Sequence, residues 1–165
     1  MKKLALTDFA KYRYPSALEL SPDGRYLTFA LKEVDREGDG YRWNLWLYDL
    51  ESRESRQITQ GDDQRQAVWE DNTHILYKTT EPDEAMRARG FEEEWTVYHR
   101  LNVCTGEERE AFRLPMSVSG LWKMDEGRYV FTGETHLDRP NLLELTGEAL
   151  EKELVRRQQT KGYKV

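Results

Sequence analysis

The chain has a single cysteine, Cys104, so no internal disulfide can form. It has no apolar run near the ~18 residues that a membrane-spanning helix needs, and its mean hydropathy is −0.89. It has no basic surplus either. The net charge is −6, which argues against a nucleic-acid partner, since that needs a basic face. Arg156 and Arg157 form its densest basic pair near a helix and read as solvated. The three histidines, His74, His99 and His136, show no metal-ligand spacing, so neither a metal nor another cofactor is expected. The N-terminus, Met1-Lys2-Lys3-Leu4-Ala5-Leu6-Thr7-Asp8, reaches a carboxylate before the apolar region of ~7–15 residues that a secretory leader needs. No disulfide, no leader and no span together point to a cytoplasmic protein.

What is present is aromatic and repetitive. Aromatic residues make up 12% of the chain, and large rings can build a β core where aliphatic content is modest. Residues 20–59 set the pattern. Ser21-Pro22-Asp23-Gly24 is a tight-turn sequence, with Pro22 presetting φ and Gly24 tolerating the exit. Alternation from Tyr26 to Leu31 predicts a strand, and residues 43–50 predict a second, rich in aromatics. Glu51-Ser52-Arg53-Glu54 reads as a hairpin connection and Arg56–Thr59 as a short further strand. With a first strand at residues 17–20, four antiparallel strands fall within about 45 residues, the size of one propeller blade.

Two echoes follow. Residues 67–77 repeat the strand–turn–strand opening with Asp71-Asn72 at the turn, and Phe29 and Tyr77 correspond 48 residues apart. Residues 78–90 are highly charged and read as an exposed insertion. Residues 95–103 and 109–114 read as the remaining strands of that unit, joined at Thr105-Gly106-Glu107. The third echo has strands at 119–124, 128–133 and 141–145, then a helix capped by Thr146 with Leu150, Leu154 and Val155 on its apolar stripe. Tyr163-Lys164-Val165 reads as the start of another strand, and a short helix capped by Thr7 precedes the first.

The expected fold is therefore all-β. It is a partial β-propeller of about three four-stranded antiparallel blades, the third incomplete, with a short C-terminal helix. Residues 1–16 are a lead-in; blade 1 covers about 17–61, blade 2 about 66–115 and blade 3 about 117–165. Three blades cannot close a ring, and soluble proteins avoid open sheet edges. The chain thus reads as part of something larger, or as one that self-associates through its open edges.

Leu20-Ser21-Pro22-Asp23-Gly24-Arg25-Tyr26-Leu27, Asn44-Leu45-Trp46-Leu47-Tyr48-Asp49-Leu50 and Arg56-Gln57-Ile58-Thr59 resemble the propeller of prolyl oligopeptidase family serine peptidases. The bacterial acylaminoacyl-peptidase and dipeptidyl-peptidase-like branch is the most similar. Trp122 with Asp125-Glu126-Gly127-Arg128-Tyr129 resembles the same blade opening. The resemblance implies a propeller that precedes an α/β-hydrolase domain with a Ser-Asp-His triad, its Ser in a Gly-x-Ser-x-Gly elbow. No such elbow occurs here: Ser117-Val118-Ser119-Gly120 lacks the leading glycine. No catalytic residue carries over. The implied role is to screen and scaffold the catalytic domain, with the remaining blades, that domain and peptide substrates as partners. The alternative is a TolB-like propeller acting as a protein-interaction module, because the Ser-Pro-Asp-Gly turn is shared with that group.

The resemblance also singles out Glu92-Glu93-Glu94 as substrate-binding candidates. Dipeptidyl peptidases of this family hold the substrate α-amine with paired propeller glutamates, and adjacent carboxylates suit a buried ammonium. The alternative reading is a solvated loop leading into the strand at Trp95. Cys104, beside a turn, reads as a buried or half-buried structural thiol. Trp46, Trp69 and Trp122 read as packing between blades rather than as stacking platforms for sugars.

Overall fold

Ser21 closes the first turn through both its backbone and its side chain. Its carbonyl accepts from Gly24 N at 2.9 Å, its hydroxyl accepts from Tyr26 N at 2.9 Å, and the same hydroxyl donates to Asp23 Oδ1 at 2.6 Å. Gly24 sits at φ +72°, a left-handed conformation that side-chain-bearing residues rarely adopt. The computed structural model describes residues 8, 11–35, 37–135 and 139–160. The expected Thr7 cap, the strand at residues 163–165 and His136 lie outside the described residues.

The turn joins β1 (Tyr14–Leu20) to β2 (Tyr26–Asp35), and β3 (Gly40–Asp49) and β4 (Glu54–Gln57) complete an antiparallel sheet in the order β1-β2-β3-β4. β2 and β3 pair without a break from Tyr26↔Asp49 to Asp35↔Gly40. β1 carries a register shift between Ser16 and Glu19, with Ala17 at φ +49°. That is the local geometry of a bulge. A second sheet repeats the order with β5 (Ala67–Trp69), β6 (His74–Pro82), β7 (Glu94–Asn102) and β8 (Glu108–Leu114). β9 (Val118–Lys123) and β10 (Tyr129–Gly133) form a two-stranded sheet, and α2 (Gly147–Thr160) follows. A one-turn helix, α1 (Glu84–Ala88), interrupts the second sheet between β6 and β7. The architecture is thus two four-stranded antiparallel blades, a shorter third sheet and a C-terminal helix.

The chain packs as two units. The first comprises the described parts of Met1–Thr79, Val97–Phe112 and Trp122–Val130. Its core joins Ala30, Leu45 and Leu47 of the first sheet to Trp69, Ile75 and Leu101 of the second. Trp69 stacks on Tyr26 with centroids 6.4 Å apart, and its indole N–H donates to Glu19 O at 3.2 Å. Here the tryptophan packs one sheet on the next. The second unit comprises the described parts of Thr80–Thr96, Arg113–Leu121 and Phe131–Val165. Its core is Met86, Phe91, Leu142 and Leu154, with Leu150 partly buried against it.

Four expectations are corrected. Residues 78–90 are not simply an exposed insertion: β6 runs on to Pro82, and Asp83 caps α1 by accepting from Met86 N at 2.9 Å. That cap turns Met86 inward, where it is buried with Phe91. Residues 141–145 do not form a strand. Asn141 accepts from Leu143 N at 3.0 Å and caps a 3₁₀ turn (Leu142–Glu144), which suits a three-leucine run too short to fix its own period. Cys104 is exposed, because it sits in the turn between β7 and β8, with its Sγ 3.8 Å from Tyr26 Oη. Trp122 is half exposed, on a strand of the two-stranded sheet.

Candidate functional site

Glu92, Glu93 and Glu94 lie at the entry to β7, in the second unit. They line one wall of an open cleft of about 380 Å³. The segment 115–117 forms another wall. It is pinned by buried Thr96, whose hydroxyl donates to Met116 O at 2.7 Å and accepts from Val118 N at 3.2 Å. Asn141 fastens the same segment by donating from its side chain to Pro115 O. Glu134 and Arg139 complete the charged lining.

The three carboxylates have different surroundings. Glu92 and Glu94 are exposed, while Glu93 is half-buried. Glu93 Oε1 accepts from Arg157 NH1 at 2.9 Å. The same guanidinium donates through Nε to Glu153 Oε1 at 3.0 Å and through NH2 to Pro140 O at 2.5 Å. Arg157 is therefore not a solvated surface cation. Its side chain is only 15% exposed, because helical spacing points it back into the cleft wall. It spends all three nitrogens on α2, the Glu93 loop and the segment before Asn141. Arg89, bidentate to Glu151 at 2.9 and 2.6 Å, fixes the other side of α2.

Glu153 is held well below its ordinary range, at about 2, first by the Arg156 guanidinium and then by Arg157, against the opposing effect of burial. A depressed carboxylate contributes stability that is complete above the unfolded value near 4.5 and is lost as pH falls towards 2. Amide exchange in α2 is therefore expected to accelerate below about pH 4.5 relative to the strands. The Glu153→Gln variant, followed by the same exchange measurement, should lose that pH dependence.

The sequence reading missed a second cluster, in the first unit. Glu70 follows β5, and its side chain is only 8% exposed. Arg100 of β7 grips it bidentately, donating from NH2 to Oε1 at 2.6 Å and from Nε to Oε2. The Tyr129 hydroxyl of β10 donates to Oε1 at 2.5 Å, and Lys123 Nζ of β9 donates to the Glu70 carbonyl. Burial pushes the Glu70 carboxyl up, but Arg100 and Tyr129 outweigh it and hold the group below its ordinary value. Burial, with Glu70 next, pushes Tyr129 up to about 12. The partners lie 30 and 59 residues from Glu70, a separation that no local motif announces.

Beside this cluster Asp71 organises the β5–β6 turn. It accepts from Thr73 N at 2.7 Å, His74 N at 2.8 Å and His74 Nδ1 at 3.0 Å. Asn102 Oδ1 accepts from Cys104 N and Thr105 N, so its amide nitrogen faces His74 Nε2 at 3.2 Å as the donor. His74 therefore carries its proton on Nδ1. No group of three His, Cys, Asp or Glu among the described residues could hold a metal ion.

Three solved structures share the fold over about three-quarters of the chain. The β-propeller domain of the Trilobed protease from Pyrococcus furiosus, described as having an open velcro topology, aligns with a TM-score of 0.53 at 14% identity, over 74% of this chain and 34% of its own. The chain folds as part of a β-propeller. Pyrococcus horikoshii acylaminoacyl peptidase aligns with a TM-score of 0.56 at 15% identity, over 76% of this chain and 18% of its own. An acylaminoacyl peptidase in complex with Z-Gly-Gly-Phe-chloromethyl ketone aligns with a TM-score of 0.57 at 13% identity, over 77% and 18%. This propeller segment thus spans about a third of the first chain and under a fifth of the other two. No family model and no curated protein matches it. No helix among the described residues is long and apolar enough to cross a membrane.

Proposed function

We propose that this chain is the propeller portion of a serine peptidase of the prolyl oligopeptidase kind, screening and scaffolding a separate α/β-hydrolase domain, in the cytoplasm. The observation that carries the reading is the alignment of three-quarters of the chain with propeller-bearing peptidases. The blade-opening turn at Ser21–Gly24, closed by the Ser21 hydroxyl on Asp23 and Tyr26, supports the propeller part of the reading and is shared with the TolB-like alternative. The chain itself performs no catalysis in this reading. Glu92 and Glu94 are the carboxylates proposed to meet a peptide α-amine, and Glu93 is committed to Arg157. Among the described residues each sheet ends on strands with one paired neighbour: β1 and β4, β5 and β8, β9 and β10. Their open edges are proposed to take further blades or a second copy.

The test compares two polypeptides: this chain, and the product of its gene read through position 165. Both are treated with a serine-directed fluorophosphonate probe and with acyl-amino-acid and dipeptide nitroanilides. The longer product is expected to label and turn over, and this chain to do neither. Labelling of this chain, or an unlabelled longer product, would overturn the reading.

A further inference from the structure

We infer that this chain pairs with a second copy of itself, seating the free face of its first sheet on the third sheet of the partner. One hydrogen bond marks the same place in each sheet: Ser21 N donates to Tyr26 O, Glu70 N to His74 O and Met124 N to Arg128 O. Leu27, Ile75 and Tyr129 therefore correspond, as do Leu20, Trp69 and Lys123 on the preceding strands. In the second sheet these positions face the first: Trp69 and Ile75 are buried in the core shared with Ala30 and Leu45. In the third sheet Tyr129 packs on Phe112 of the second, with ring centroids 5.9 Å apart. In the first sheet the same positions are uncovered. Leu20 is 58% exposed where Trp69 is 7% exposed. Register puts Leu27 and Tyr48 in one row with Leu20, and Phe29 and Trp46 two residues along on the same face. All four are only half-buried.

The opposite faces show the reverse. Thr28 of the first sheet and Leu76 of the second lie on the faces that the following sheet covers, and neither has exposed surface. The corresponding Val130 of the third sheet is 50% exposed, and so is Trp122, which alternates with Lys123. Each copy thus carries one uncovered face of each kind. The occupant that fits is a sheet of this same chain, because the repeat already makes this contact twice within one copy. Where the second sheet meets the first, Trp69 donates to Glu19 O. Leu20 and Trp122 hold those two places in the repeat, so Leu20 of one copy meets the partner's Trp122. A head-to-tail pair forms both contacts at once and leaves neither face open. The second contact is then made at high effective concentration. The faces belong to the sheets themselves and require no catalytic domain.

The test is sedimentation velocity of this chain over a wide concentration range. A dimer that dissociates on dilution is expected. Leu20→Glu and Trp122→Lys, both at exposed sites and checked for folding by circular dichroism, should each raise the dissociation constant by at least about tenfold, since each places an unpaired charge in both contacts. An equimolar mixture of the two variants should dimerise again. One contact is then native on both sides, and the other brings the two new charges together with opposite sign. A chain that stays monomeric at its highest soluble concentration leaves these faces to a different partner and overturns the inference. So does a dimer that neither variant weakens, or a mixture that associates no better than its components.

Discussion

Replacing Leu45 with alanine is expected to lower the stability of the first unit by about 3 kcal/mol, mid-range for truncating a buried leucine. Leu45 has no exposed surface and sits in the middle of β3, opposite Ala30. Its side chain meets a core drawn from both four-stranded sheets, including Ile75 and Leu101. Its backbone is tied to the segment that follows β4: Leu45 N donates to Thr59 Oγ1 at 2.9 Å, and its carbonyl accepts from Ile58 N at 2.8 Å. These bonds survive truncation, so the strand cannot move in to fill the space. The loss is then the transfer energy of the removed carbons plus a cavity term. Urea unfolding should show a lower midpoint at unchanged slope. Leu18→Ala makes the comparison. That side chain is 59% exposed, and its loss should stay within about 0.5 kcal/mol. A loss under about 1 kcal/mol at Leu45 would mean that the two sheets do not share a rigid core.

Glu70→Ala is the second large effect, expected at about 2–3 kcal/mol. Removing one member of a buried pair costs most when the survivor stays dry. Arg100 is 36% exposed, so water recovers part of the loss, and the figure falls below that for a fully buried pair. Tyr129 loses its acceptor, and burial of an unpaired hydroxyl adds to the cost. The double variant Glu70→Ala/Arg100→Ala should be less destabilised than the sum of the single ones, because the second change removes an already orphaned partner. Arg87→Ala breaks the exposed Arg87–Glu84 pair, 3.5 Å apart. It should cost under about 0.5 kcal/mol. Equal costs at Glu70 and Arg87 would show that the cluster does not join β10 to the second sheet.

The parts of the fold legible in the sequence were those with local causes. Ser21-Pro22-Asp23-Gly24 announces its turn, and alternation from Tyr26 announces β2, because turn chemistry and side-chain period act over a few residues. Even there the strands run longer than the pattern: β3 begins at Gly40 because β2 offers it a continuous partner as far as Asp35. The three-leucine run at residues 142–145 misled, since Asn141 caps a turn there and Leu142 is drawn into the core with Leu154. Charge density misled at residues 78–90, where one cap at Asp83 outweighs a charged stretch. The acidic run at Glu92–Glu94 was visible. Its division of labour was not, because Arg157 lies 64 residues beyond Glu93. Glu70 was silent for the same reason. A lone carboxylate after a strand gains meaning only when folding delivers Arg100 and Tyr129 to it.

The most direct measurement of the proposed role is size selectivity in the complete peptidase. Rates on acetyl-aminoacyl nitroanilides are compared with rates on unfolded casein at equal enzyme concentration. A propeller that screens the catalytic domain predicts turnover of the short substrates with casein left intact. Cleavage of casein at a comparable rate per bond would contradict it.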